Sequence, residues 1–310
     1  SYRVGMPLAP PGVESWTPDL FVAANLVFLL GLYLVSARRA RAITGTPWPV
    51  LRTISFAAAV LILAIAYLGP FTAWAHLMFW PHMAQHLAVM MLAAPLIVLA
   101  SPMRLLFTNL GPTGRRRLVG ILRSSPATFF TNPIVTWLLF AFVLIGVHVP
   151  AAMNWIILDH DAMDFVERPI FLIVAVLFYY PLIGSDLIAK RPDPSIRLAS
   201  LGLMMIPETV LGMVIHFAPV PLYSAYVDVA DLVLIDPLVD QKFAGAMMWA
   251  IAMVLDGFWM MLAALEWWRD QEAVTRRLER QEARERAEAL PESNSDVTAT
   301  AAPPRGRPPS

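Results

Sequence analysis

The sequence has no cysteine and few charges. None of its 310 residues is a thiol, which excludes a disulfide framework and a thiolate metal centre. Only 15% of the residues are charged, against about 25% in an ordinary soluble domain. The 23 basic and 23 acidic side chains cancel, and a chain with no basic excess is a poor partner for nucleic acid. Lysine is nearly missing: apart from Lys190 and Lys242, every basic side chain is arginine. Together with abundant alanine and proline, that hints at a GC-rich bacterial genome. No internal repeat of fixed period is visible. What the chain does have is apolar surface. At 58% hydrophobic it is too apolar to be disordered throughout, and the excess points to a polytopic membrane protein.

A membrane helix needs about 20 mostly apolar residues. Seven stretches approach that length: 20–37, 51–69, 81–100, 133–149, 169–184, 198–217 and 243–265. No early stretch carries a signal-peptide cleavage pattern, so the first is read as a retained span. Arginine and lysine alternate between the connecting segments. Arg38, Arg39, Arg41 and Arg52 follow the first span. Arg104, Arg115, Arg116, Arg117 and Arg123 follow the third, and Lys190, Arg191 and Arg197 the fifth. Six more arginines lie between Arg269 and Arg286. The other side holds only Arg3, Arg168 and Lys242. By the positive-inside rule the N-terminus is expected outside and the C-terminus in the cytoplasm. The expected fold is therefore an all-α bundle of seven transmembrane helices. It comprises an outer N-terminal segment (1–19), a membrane domain (20–268), a charged cytoplasmic helix (269–290) and a disordered tail (291–310).

All six histidines fall on the outer side of this topology. His76 precedes the third span, His82 and His86 lie in its first turns, His148 ends the fourth, His160 follows it, and His216 ends the sixth. His82 and His86 are four apart and share a helix face, and Met90 continues the row. Imidazole suits copper and zinc, and thioether selects Cu(I). A His–His–Met stripe without thiols is thus a candidate copper site, with His82 and His86 as primary ligands. His148, His216, Met90 and His76 are further candidates, and His160 is nearby. Asp240 and Gln241 open the last span on the same side and are read as orienting groups, since a metal-bound imidazole needs a partner on its other nitrogen. Glu208, after Pro207, is a carboxyl at membrane depth. It is either a structural partner for a group freed by the proline or a proton-linked or ligand-linked site.

Several segments resemble one family. The run Pro81-His82-Met83-Ala84-Gln85-His86, continuing through Met90-Met91 to Ala94-Pro95-Leu96, is similar to the third-span signature of CtaG-type (caa3-type) cytochrome c oxidase assembly factors. His148-Val149-Pro150, Phe178-Tyr179-Tyr180-Pro181 and Pro237-Leu238-Val239-Asp240-Gln241 with Gly245 and Met248-Trp249 match further motifs in the same order. The resemblance covers about residues 20–268. It maps family positions onto His82, Gln85, His86, His148, Asp240 and Gln241. It departs at the start of span five, where relatives place His after Glu and this chain has Glu167-Arg168.

The resemblance implies a non-catalytic assembly factor in the bacterial inner membrane. Its expected cargo is copper, and its expected partners are cytochrome c oxidase subunits and membrane lipid; self-association is left open. Two other readings remain at this point: a membrane redox protein with haem on paired histidines, and a copper- or proton-linked transporter working through Glu208.

Overall fold

A computed structural model describes residues 19–184, 186–233 and 235–289. The expected outer segment up to residue 18 and the expected tail from 291 lie outside the described residues. Every regular element among the described residues is helical. In chain order they are α1 (Leu20–Thr44), α2 (Val50–Leu68), α3 (Pro70–Ala75) and α4 (Phe79–Leu87). A π-helical turn at Ala88–Ala93 joins α4 to α5 (Ala94–Leu99). Then come α6 (Pro102–Asn109), α7 (Pro112–Leu122), α8 (Ser125–Phe130), α9 (Pro133–Val147), α10 (Pro150–Leu158) and α11 (His160–Ala162). A second π-turn, Met163–Glu167, leads into α12 (Arg168–Tyr179). The chain continues with α13 (Pro194–Phe217), α14 (Ser224–Asp228), α15 (Ala230–Val233) and α16 (Pro237–Ala289).

Among the described residues, length and hydropathy single out five helices able to cross a membrane, or six if α9 and α10 form one broken span. The five are Leu20–Thr44, Val50–Leu68, Phe79–Asn109, Pro194–Phe217 and Pro237–Arg269. The expected fourth span is bent by 72° between α9 and α10, at His148-Val149-Pro150, because Pro150 cannot continue the hydrogen-bond ladder. The expected fifth is divided: α12 has 12 residues and is continued on its N-terminal side by the π-turn and α11.

Burial is inverted relative to a soluble protein. Leu20, Phe21, Phe142 and Val254 are more than two-thirds exposed, whereas His82, Glu167, Arg168, Glu208, Asp240 and Asp256 are buried. Apolar exposure on this scale marks a surface meant for something other than water, and intramembrane ionisable groups face the bundle interior. The fold is that of a membrane protein.

Prolines shape its interior. Both π-turns end two residues before a proline, Pro95 and Pro169. Ala94 donates its N–H to the carbonyl of Val89, and Arg168 to that of Met163, five residues back in each case. Pro95 and Pro169 have no N–H to offer the carbonyls four residues before them. The carbonyl that Pro95 leaves free, that of Met91, accepts instead from the Trp259 indole of α16 at 2.8 Å. Elsewhere α13 and α16 touch backbone to backbone. A Cβ on Gly245 would stand 2.7 Å from the His216 nitrogen and 2.8 Å from the Gly212 oxygen, so both glycines exist to let the helices meet.

The chain divides into two units, Ser1–Ala264 and Leu265–Ser310. In the second, the described residues 265–289 are helical. The exposed pair Arg276 and Glu272 lie one turn apart there, at 3.2 Å.

Candidate metal centre

The helix that carries His82 and His86 is held at its start by a residue from the far end of the sequence. Met78, which precedes α4, supplies no side-chain cap. Asp240 supplies it across helices, accepting from the Phe79 N–H at 2.6 Å and the Trp80 N–H at 3.0 Å. That satisfies two orphan donors and sets a negative charge against the positive helix end. Pro81 then falls in the first turn, where a missing N–H is harmless. Gln85 donates to the Ala66 carbonyl at 2.6 Å and the Thr72 hydroxyl at 3.4 Å, tying α4 to the end of α2. Tyr223 and Tyr226 pack on Phe79 and donate to the His148 and Ala75 carbonyls at 3.1 and 2.9 Å. Burial pushes the Tyr223 phenol up. Burial first, then the Glu167 and Asp240 charges, pushes Tyr226 well up, so both remain O–H donors.

On this fixed helix the two imidazoles meet a carboxylate from 85 residues away. His82 Nε2 lies 3.2 Å from Glu167 Oε1, and His86 Nε2 lies 3.3 Å from the same oxygen. One ligand atom from each of His82, His86 and Glu167 lies within 4.8 Å of the others. Donors about 2.0–2.2 Å from one ion stand roughly 3–4 Å apart in tetrahedral geometry, so the cluster has the dimensions of a three-ligand site. Its chemistry fits zinc or copper. Side-chain exposure is 1% for His82 and Glu167 and 11% for His86, so water competes little.

Glu167 was not among the candidate ligands read from the sequence, where Glu167-Arg168 marked only a departure from the family pattern. Arg168 pairs with Asp164, one turn back, and lies over the Tyr67 ring. That leaves Glu167 to the histidines. The i, i+4 pairing of Asp164 with Arg168 was the available signal.

A cavity of about 20 Å³ adjoins the cluster and is lined by His86, His148, Glu208, Met83, Met90 and Met248. It has room for one water-sized occupant, far too little for a porphyrin between His86 and His148. His148 Nδ1 lies 2.6 Å from the Leu144 carbonyl. A carbonyl only accepts, so Nδ1 carries the proton and Nε2 the lone pair. That Nε2 is buried without a hydrogen-bond partner, as is Glu208 Oε2. The Tyr179 hydroxyl donates to Asp256 at 3.4 Å.

The remaining candidates lie apart from the cluster. His76 caps α3, with Nδ1 at 3.4 Å from the Ile157 carbonyl. His216 Nδ1 is 2.7 Å from the Lys242 carbonyl, a link between α13 and α16. Gln241 accepts from the Leu222 N–H at 2.6 Å and donates to the Ile215 carbonyl at 3.2 Å, so it fastens a loop. The side chain of His160 lies outside the described residues.

Comparison with known proteins gives one family and three relatives. The model of a family described as cytochrome c oxidase caa3 assembly factor matches residues 31–270. Proteins of Mycobacterium bovis and Mycobacterium tuberculosis, both titled uncharacterized, are each 26% identical over 275 residues, covering 86% of this chain and 41% of theirs. One from Mycobacterium leprae, also titled uncharacterized, is 24% identical over 245 residues, covering 76% of this chain and 37% of its own. The chain thus spans about two-fifths of the length of these curated relatives. No solved structure matches it.

Proposed function

This chain belongs to the cytochrome c oxidase caa3 assembly factor family, and from that membership we propose that it carries copper as cargo for the oxidase. The observation that carries the reading is the buried His82–His86–Glu167 cluster, whose ligand atoms lie within 4.8 Å of one another. Copper would be held there by two imidazoles and a carboxylate, and its binding would displace the proton in the His82–Glu167 hydrogen bond. A chain without cysteine cannot pass copper by dithiol exchange, and imidazole with thioether is the alternative. Asp240, Gln85, Tyr223 and Tyr226 position α4 and do not touch the metal. No covalent turnover is part of this role.

We place the protein in a bacterial inner membrane with seven spans, the N-terminus outside and the cluster near the outer face. The support is the arginine alternation, together with the helical stretch from α11 through α12 and the bent α9–α10 pair as the two spans beyond the five long ones. Cargo would pass to an oxidase subunit by contact within the membrane.

The test is genetic and spectroscopic. In a strain lacking the gene, the copper-centre signals of the oxidase should fall. The wild-type gene should restore them, and His82→Ala/His86→Ala should not. Normal oxidase in the deletion strain defeats the assignment.

A further inference from the structure

We infer that the cavity beside His86 is a second copper position, selective for Cu(I), which exchanges the ion with the His82–His86–Glu167 cluster. The inference rests on the copper reading above and adds a second coordination set.

The first observation is a pair of buried atoms with nothing to bond. His148 Nε2 and Glu208 Oε2 have no hydrogen-bond partner, and both residues line the same space of about 20 Å³. Burying such a group without a partner is costly, so two in residues lining one space call for an occupant. The tautomer matters as well. Because the proton of His148 sits on Nδ1 against the Leu144 carbonyl, Nε2 offers a lone pair with no proton to remove. That is the arrangement of a metal ligand oriented by a carbonyl on its other nitrogen.

The second observation is distance. Metal–nitrogen bonds of about 2.0–2.1 Å, plus about 1.1 Å from nitrogen to ring centre, put two trans imidazoles on one ion about 6.3 Å apart. The ring centroids of His86 and His148 are 6.1 Å apart. The separation of the two rings leaves room for one ion between them.

The third observation is the lining. Met83, Met90 and Met248 share the cavity wall with the two histidines, and thioether sulfur selects Cu(I) over divalent ions. Glu208 supplies the only carboxyl among the lining residues. The two positions therefore differ in softness. The cluster of two imidazoles and a carboxylate accepts divalent ions, and the cavity of imidazole and thioether does not.

His86 belongs to both positions and is the hinge of the exchange. Cu(I) keeps its bond to His86 while its bonds to His82 and Glu167 break and those to His148 and methionine form. No electron moves. His148 loses no proton on binding, and the proton displaced from His82 returns to the His82–Glu167 contact.

The test uses purified full-length protein in detergent. It is loaded anaerobically with Cu(I), or separately with Zn(II), and compared with Met90→Leu/Met248→Leu, which preserves side-chain volume. X-ray absorption of the Cu(I) form should show sulfur scattering in the wild type and clearly less in the double variant, which of the methionines keeps only Met83 and Met91 on the cavity wall. Competition with a Cu(I) chelator should show Cu(I) binding weakened at least about tenfold by loss of the soft ligands, with Zn(II) binding unchanged. Nitrogen and oxygen scattering alone in the wild type would overturn the second position while leaving the cluster as a copper site. Equal Cu(I) affinity in the double variant would also overturn it. If Glu167→Gln leaves both Cu(I) and Zn(II) binding intact, the cluster fails instead, and sulfur scattering then stands by itself.

Discussion

Replacing Asp240 tests whether the geometry of the centre is set from a distance. In Asp240→Ala the N–H groups of Phe79 and Trp80 lose acceptors now at 2.6 and 3.0 Å. Phe79 is 1% exposed, so no water replaces the carboxylate there. An N-cap deletion costs about 0.5–2 kcal/mol, and a hydrogen bond to a charged group is worth about 1.5–3 kcal/mol. The two bonds overlap with the cap effect, which puts the loss at about 2–4 kcal/mol. At about 2–4 °C per kcal/mol, the melting temperature in detergent should fall by roughly 4–16 °C. Asp240→Asn keeps one acceptor and should fall about half as far. Tryptophan fluorescence on heating reads the change, with Trp80 in the first turn of α4. A copper titration should show weaker binding in the alanine variant although Asp240 touches neither imidazole. An alanine variant melting within about 1 °C of wild type would refute the cap as a source of stability. An asparagine variant as damaging as alanine would refute the hydrogen-bond account.

Four further outcomes follow from the same contacts. Glu167→Gln, which keeps shape and removes charge, should weaken copper or zinc binding about 10–100-fold in an equilibrium titration. Gly245→Ala drives a Cβ into backbone atoms at 2.7 and 2.8 Å and should destabilise by about 1–3 kcal/mol in a thermal scan. Gly31→Ala meets nothing within 4 Å and should be neutral or better. Trp259→Phe strands the Met91 carbonyl and should cost about 1–2 kcal/mol. Pro95→Ala, by restoring an N–H four residues on, should recover part of it in a double-mutant cycle. Finally, Thr113→Cys and Asp228→Cys each introduce the sole thiol of the chain at an exposed site. An impermeant thiol reagent should reach them from opposite sides of sealed vesicles, and labelling of both from one side would refute the orientation.

Much of this was legible in the sequence, and the gaps have physical causes. The helical class and the apolar stretches follow from composition and run length. The shared face of His82 and His86 follows from helical periodicity. The span boundaries near 149 and 169 did not, because hydropathy averages over a bend that prolines impose. Glu167 was not read as a ligand because it is 81 and 85 residues from the two histidines, and only the fold brings it to them. Asp240 was expected as a group that orients an imidazole. It orients the backbone of the helix instead, a role that requires knowing that α16 meets the start of α4.

The two π-turns carry a consequence for how the chain tolerates changes in length. A π-turn is an α-helix with one residue too many, so removing that residue restores the ladder and leaves both flanks in phase. Anywhere else in a helix, a single deletion turns everything beyond it by about 100°. The turn at Ala88–Ala93 begins two residues after His86, and the turn at Met163–Glu167 ends at Glu167. A one-residue deletion in either would reshape the surroundings of a candidate ligand while sparing the rest of the bundle. Lineages that gained or lost such a residue would differ around the candidate cluster before they differed in fold.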